Sequence, residues 1–252
     1  MLSIIFSSRV KDNPDENIKG FLDSLYDCGG NKDNVEIILK YDDDDDEKPP
    51  QSFFDSYPFN IKVHQWSRGE GRHGIHLDKF YLFAQHDPKA RFIMAGSDDF
   101  TFNRYGFIDD ILSIDDEYAF IGYARPRMEL YAPNWRDERV MNIWKHNEGV
   151  SLPCMTTKTL EVLQNWSWQS GEDNWSTLLV ILMYANYGMD LWKTIPSFYF
   201  RNPTDGTSQY SEGFNNMEMG GNRNPKNPYY FDLVTQQAHN LYLNIKEKKE
   251  FK

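Results

Sequence analysis

The decapeptide RFIMAGSDDF, residues 91–100, runs apolar to Gly96 and then sets Ser97, Asp98 and Asp99 side by side. Adjacent carboxylates repel each other and are costly to desolvate. Placed at the end of a buried run, they are explained cheaply by a turn and better by a metal-bound phosphate. Two hard oxygen ligands suit a divalent cation bridging to phosphate oxygens, and such a metal neutralises the charge that builds on a departing diphosphate. That chemistry needs a separate base to activate an acceptor hydroxyl. The segment SGEDNW, residues 170–175, offers Glu172 and Asp173 where a loop enters an apolar helix. Helix capping and the first-turn dipole are the plain alternative uses of these two acids.

Other clusters carry competing chemistries. Asp42–Asp46 invite a calcium reading, but with Asp42 as the first loop position the sixth is Glu47 rather than Gly and the twelfth is Phe53. Most of that run reads as a solvated acidic loop, with the first one or two carboxylates placed to accept hydrogen bonds from a nucleobase or ribose. GEGRHG, residues 69–74, matches GxGxxG between a predicted strand and helix. A dinucleotide (NAD-type) site using Gly69, Gly71 and Gly74 is therefore an alternative, although the fingerprint usually follows the first strand of its fold and here follows the third. His73 and His76 lack an HExxH frame, and no GxSxG elbow occurs. Cys28 and Cys154 form no CxxC and no disulfide framework, a single bridge between them stays open, and neither has the setting of a catalytic thiol.

The elements that must position these residues alternate in type. LSIIFSS reads as a strand covered on both faces. A helix comes next, with Ile18, Phe21, Leu22 and Leu25 at helical spacing, Pro14 near its start and Gly29–Gly30 at its end. NVEIILKY and FNIKVHQW are strands, HLDKFYLFAQH a helix and ARFIMAG a fourth strand. The pattern predicts an α/β architecture with a mostly parallel central sheet. Ligands in such sheets sit beyond the carboxyl ends of the strands. SSR, DDDDDE, SRGEGRHG and GSDDF each follow a strand, so all four polar clusters face one rim. Further on, YAFIGYA reads as a strand, TTKTLEVLQNW and DNWSTLLVILMYANYGMD as helices, and residues 231–249 as a last helix.

Composition narrows the partners. The 252 residues carry 27 basic against 38 acidic side chains, a formal charge of −11, which argues against nucleic acid as a partner. No run approaches transmembrane length, and the first ten residues lack a basic segment ahead of their apolar stretch. The expectation is a cytoplasmic protein of a reducing compartment.

Together, LSIIFSSR, DNPDENIKGFLDSL, VEIILKYDDDD and the stretch from GEGRHG through GSDDF resemble the nucleotide-sugar glycosyltransferases of GT-A fold, closest to the large family-2 group. The likeness covers residues 2 to about 105 and about 150 to 190. It implies a Rossmann-like three-layer sandwich forming one domain over 1–252, with a nucleotide-sugar half (1–105), an acceptor and catalytic-base half (106–200) and a C-terminal loop and helix (201–252). By the same resemblance Ser8 and Arg9 lie beside the nucleotide, and Asp42 or Asp43 holds the uracil or ribose. Arg72 and Lys79 approach the diphosphate. Asp99 ligates Mn2+ or Mg2+, Asp98 assists through the ribose, the donor sugar or the metal, and His239 is a third ligand. Asp173 is the base, with Glu172 close to the acceptor. The implied reaction moves a sugar from a UDP-linked donor to a glycan hydroxyl with inversion. The family's DxD appears here as Ser97-Asp98-Asp99, one carboxylate short, so a GT-A-like domain that binds glycan without turnover is a further alternative. Trp135, Trp144, Trp166, Trp168 and Trp175 are candidates to stack on sugar rings or to pack the core.

Overall fold

The computed structural model describes residues 1–8, 14–43, 48–67, 74–98, 100–123, 125, 154–164, 172–201 and 228–250. In chain order its elements begin with β1 (Leu2–Ser7), α1 (Pro14–Cys28), β2 (Val35–Asp42), α2 (Gln51–Phe54) and β3 (Asn60–Trp66). Next come α3 (Gly74–Phe83), β4 (Phe92–Ala95), β5 (Phe100–Phe102), α4 (Phe107–Leu112), β6 (Phe120–Gly122) and β7 (Cys154–Thr156). The last are α5 (Thr157–Leu163), α6 (Glu172–Tyr187), β8 (Trp192–Thr194), β9 (Tyr199–Arg201) and α7 (Pro228–Glu250). The chain forms two compact units, Met1–Asp115 with Ser197–Thr204, and Asp116–Pro196 with Asp205–Lys252.

In the first unit four strands lie in the order β3-β2-β1-β4, every neighbour parallel. β1 sits between two strands and has helices to face on either side, which is why Leu2, Ile4 and Ile5 run apolar without alternation and are fully buried. The chain steps outward from β1 to β3 and then returns to the opposite side of β1 as β4. The strand order therefore reverses between β1 and β4, the place where open α/β sheets form their ligand crevice.

α1 covers this sheet with the stripe expected from its spacing. Ile18, Phe21, Leu22 and Leu25 are all fully buried, and the Phe21 ring meets Phe6 at 5.0 Å and Phe102 at 5.3 Å. Each such side chain stabilises the fold by about 1.5–3 kcal/mol. β5 pairs antiparallel with β9, so a strand near residue 200 completes a ribbon begun at Phe100. Nothing in the local pattern of either three-residue strand announces that pairing. The amino end of β2 buries Glu36, which accepts from the Asp87 N–H at 2.7 Å and from Ser3 Oγ and pairs with Lys62 at 3.0 Å.

In the second unit β6 is antiparallel to β7 and parallel to β8. Every residue of α6 from 175 to 183 is buried, in keeping with its nearly continuous apolar sequence. Trp175 is among them, and its Nε1 donates to Gln237 Oε1 on α7 at 2.8 Å, so this tryptophan is part of the core. The other four tryptophan candidates, Trp135, Trp144, Trp166 and Trp168, lie outside the described residues. Among the described residues, no helix is long and apolar enough to cross a membrane.

Thr156 caps α5. Its Oγ1 accepts from the N–H of Thr159 at 3.4 Å and of Ala119 at 3.2 Å, and it meets Thr159 Oγ1 at 2.8 Å, all of it buried. Replacing Thr156 by Ala leaves those donors unsatisfied and should cost about 1–2 kcal/mol, measured as a lower urea midpoint at unchanged slope. Substitution by Ser should restore most of the loss.

Candidate functional site

The acidic turn after β4 follows Gly96, where the chain runs close beside β1. A Cβ on Gly96 would stand 2.6 Å from Phe6 Cδ1 and 2.9 Å from Ile4 Cγ2, so only glycine fits. The Gly96 N–H is held by the Ile5 carbonyl at 2.9 Å. Two residues later Asp98 Oδ2 accepts from Ser8 Oγ at 2.6 Å. This bond bridges the carboxyl ends of β1 and β4, across the point where strand order reverses. Of the expected residues, Ser8 and Asp98 are thus brought together, while Arg9, Arg72 and Asp99 lie outside the described residues.

Along the same rim, β2 ends in a buried ionic cluster. Lys40 is 0% exposed, and its Nζ pairs with Asp42 Oδ1 and, at 3.2 Å, with Asp78 Oδ2 from α3. Ser7 Oγ donates to the same Asp78 oxygen at 3.3 Å, and Trp66 Nε1 donates to Asp78 Oδ1 at 2.6 Å. Asp42 is 3% exposed, whereas Asp43 is exposed. The Asp43 backbone is fixed at both ends: its N–H donates to the Trp66 carbonyl at 3.1 Å, and its carbonyl accepts from Gln65 Nε2 at 3.4 Å. Of the two candidate carboxylates, Asp42 is therefore committed to Lys40, and Asp43 is the one presented to solvent. Lys79 is half-buried on α3 beside Asp78.

Sequence reasoning passed over Lys40, Trp66 and Asp78. A signal was present: a lysine follows the apolar run Ile37–Leu39, two residues before Asp42. Burying an ammonium costs several kcal/mol unless it is paired, so a lysine in that setting implies acidic partners nearby.

In the second unit, α6 begins at Glu172, so Glu172 and Asp173 occupy its first turn rather than its cap. Their side chains lie outside the described residues. His239 is exposed on α7, where its Nδ1 lies 3.1 Å from Tyr187 Oη, and Tyr187 stacks on Tyr242 at 4.2 Å. Among the described residues, no group of three or more His, Cys, Asp or Glu side chains stands together as a metal site. The donor chemistry at the β4 turn nevertheless fits a hard cation: Asp98 presents carboxylate oxygen at the ligand rim, and Asp99 comes directly after it in sequence. Cys28 and Cys154 are free thiols, and burial pushes both away from the reactive thiolate form.

His64, on β3 two residues before Trp66, has its imidazole pKa lowered by burial, with the Lys62 charge adding to the effect. A histidine whose folded pKa lies below its unfolded value favours the folded state while neutral. Stability should therefore fall as pH drops through the unfolded value of about 6.5 toward the lower folded value. Denaturant midpoints from pH 8 to pH 5 should show this slope, and His64→Gln should flatten it.

No family model and no curated protein sequence matches this chain. Similarity appears at the level of shape. The mannosyltransferase PcManGT from Pyrobaculum calidifontis, in complex with GDP-Man and Mn2+, matches with a TM-score of 0.54 at 11% identity, over 98% of this chain and 75% of that one. TarS from S. aureus matches with a TM-score of 0.52 at 16% identity, over 80% of this chain and 36% of that one. TarS 1–349 in complex with UDP-GlcNAc gives a TM-score of 0.52 at 16% identity, over 81% of this chain and 58% of that one. This chain thus spans about a third of the longer TarS chain and under two thirds of the 1–349 segment. The class is a mixed α/β protein of GT-A-like, Rossmann-related fold with a mostly parallel sheet. Its structural neighbours are glycosyltransferases.

Proposed function

We propose that this chain is a metal-dependent glycosyltransferase that moves a sugar from a nucleotide-sugar donor to an acceptor hydroxyl. The observation that carries this reading is the Ser8–Asp98 bond across the β1–β4 reversal, set in a fold whose neighbours were solved with UDP-GlcNAc and with GDP-Man and Mn2+. We assign residues 1–105 to the donor, residues 106–200 to the acceptor and the base, and residues 201–252 to a C-terminal loop and helix of the same domain. A UDP-linked donor, a glycan acceptor and inversion are the finer parts of the proposal. The free thiols Cys28 and Cys154 are compatible with a cytoplasmic setting.

In this reading Ser8, Arg9 and Asp43 bind the nucleoside portion, with Asp42 fixed behind them, and Arg72 and Lys79 hold the diphosphate. Asp98 and Asp99 would hold Mn2+ or Mg2+, with His239 as the third ligand proposed by resemblance. When bound, the cation offsets the negative charge of the leaving diphosphate. The acceptor oxygen forms its bond to the anomeric carbon as the bond to the diphosphate oxygen breaks. The hydroxyl proton passes to the Asp173 carboxylate, and Glu172 orients the acceptor.

The NAD-type alternative is disfavoured by topology. In sequence the glycine segment 69–74 follows β3, and β3 lies at the far end of the β3-β2-β1-β4 order from the reversal point, whereas a dinucleotide fingerprint serves the turn beside that point. Thermal unfolding with UDP, GDP, CDP and NAD, each with and without Mn2+, tests the proposal. Ligand at a hundred times its Kd stabilises by about 2.7 kcal/mol, or roughly 5–10 °C for a chain of this size. The expected result is such a shift with one nucleoside diphosphate and only with Mn2+. A metal-independent shift with NAD would overturn the proposal, and binding of free glycan without donor turnover would point to the non-catalytic alternative.

A further inference from the structure

We infer that Lys40 is a positioning residue for the nucleotide end of this site, an inference that rests on the glycosyltransferase reading above. Lys40 joins the site's parts through both its main chain and its side chain. Its carbonyl accepts the Ser8 N–H at 2.9 Å, and Ser8 Oγ in turn donates to Asp98. Its ammonium reaches Asp42 on the same strand and Asp78 on α3. Asp78 then collects Ser7 from the end of β1 and Trp66 from the end of β3. Three strand ends and the helix that opens at Gly74 are therefore tied to one buried ammonium.

Stability alone does not explain this arrangement. Replacing a buried ion pair by apolar side chains of similar volume is often neutral or stabilising, because two desolvation penalties disappear. The remaining β2 residues, apart from Glu36 at its amino end and Asp42, are apolar or aromatic and fully covered. What the ionic cluster adds is geometry: a charged, multiply bonded centre admits one arrangement where an apolar one tolerates several. The cluster sets two carboxylates against one cation, so it is poorly suited to receive a diphosphate directly. Its role is to hold the rim, placing Ser8 on one side and the exposed Asp43 carboxylate on the other at fixed separation. Trp66 contributes twice, through its indole N–H to Asp78 and through its backbone carbonyl to the Asp43 N–H.

A control lies at the other end of the same strand. There the fully buried Glu36 pairs with the partly exposed Lys62 of β3, remote from the carboxyl rim. Calorimetric titration should compare wild type with Lys40→Met/Asp78→Asn, Trp66→Phe and Lys62→Met, using UDP, GDP and CDP, each with Mn2+. The expected result is that Lys40→Met/Asp78→Asn raises the Kd of the preferred nucleotide by about tenfold or more, and Trp66→Phe by several-fold. Both should also narrow its preference over the other two nucleotides. Lys62→Met, which unpairs the buried Glu36, should lower thermal stability with Kd and preference unchanged. Should the double variant not fold, Trp66→Phe decides, since it removes one donor and no charge. Wild-type binding that persists unaltered in the folded variants would overturn the positioning role alone. Absence of any nucleoside diphosphate binding by wild type would overturn the glycosyltransferase reading and this inference with it.

Discussion

Asp173→Asn should lower the transfer rate by about 10²- to 10⁴-fold, the usual contribution of a positioned general base. The substitution keeps the size of the side chain and removes its ability to take a proton, so the Kd for nucleoside diphosphate with Mn2+ should stay within about twofold. The competing use of Asp173 makes a different prediction. As a first-turn acid on α6 it interacts with the helix dipole, which is worth about 0.3–1 kcal/mol. A variant with wild-type turnover and only that stability loss would reduce Asp173 to a helix-terminal charge. Glu172→Gln is the internal comparison: it removes a dipole charge from the same turn and should lower the apparent affinity for acceptor more than the maximal rate.

Replacing Asp99 by Ala should abolish the Mn2+-dependent thermal shift and reduce transfer by about 10²- to 10³-fold. A metal that stabilises a leaving diphosphate is worth several kcal/mol, and each 1.36 kcal/mol is tenfold in rate. Asp98→Ala should produce a second effect because Asp98 also accepts from Ser8 Oγ. Its loss leaves the β1 end without that anchor, so nucleotide affinity should fall even when Mn2+ is saturating. Ser8→Ala should reproduce the affinity loss and leave the metal dependence intact. If Asp99→Ala retained full Mn2+ dependence, the cation would be held elsewhere and the acidic pair would be a structural turn.

Features governed by local rules were legible in the sequence. The continuous apolar runs around Ile4, Ile38 and Ile93 became parallel strands, because a strand covered on both faces needs no alternation. Ile18, Phe21, Leu22 and Leu25 became the buried stripe of α1, because residues three and four apart share one helix face. Four polar clusters after strands implied one rim, since parallel strands carry their carboxyl ends to the same side. The helix foreseen from His76 starts two residues earlier, at Gly74, and β5, α4, β8 and β9 are too short to carry a periodic signal.

By itself, then, the sequence determined the class of fold and the acidic turn that ends β4. Both arise from interactions among near neighbours or from strand direction. Which carboxylate faces outward was set by tertiary packing, because burial depends on what a distant segment brings. Asp78, thirty-eight residues after Lys40, converts that lysine into a paired core cation and commits Asp42 to it. Asp43, one residue further along, is left exposed at the rim. The pairing of Ser8 with Asp98 is of the same kind: ninety residues separate them in the chain, and the reversal of strand order brings them within one hydrogen bond.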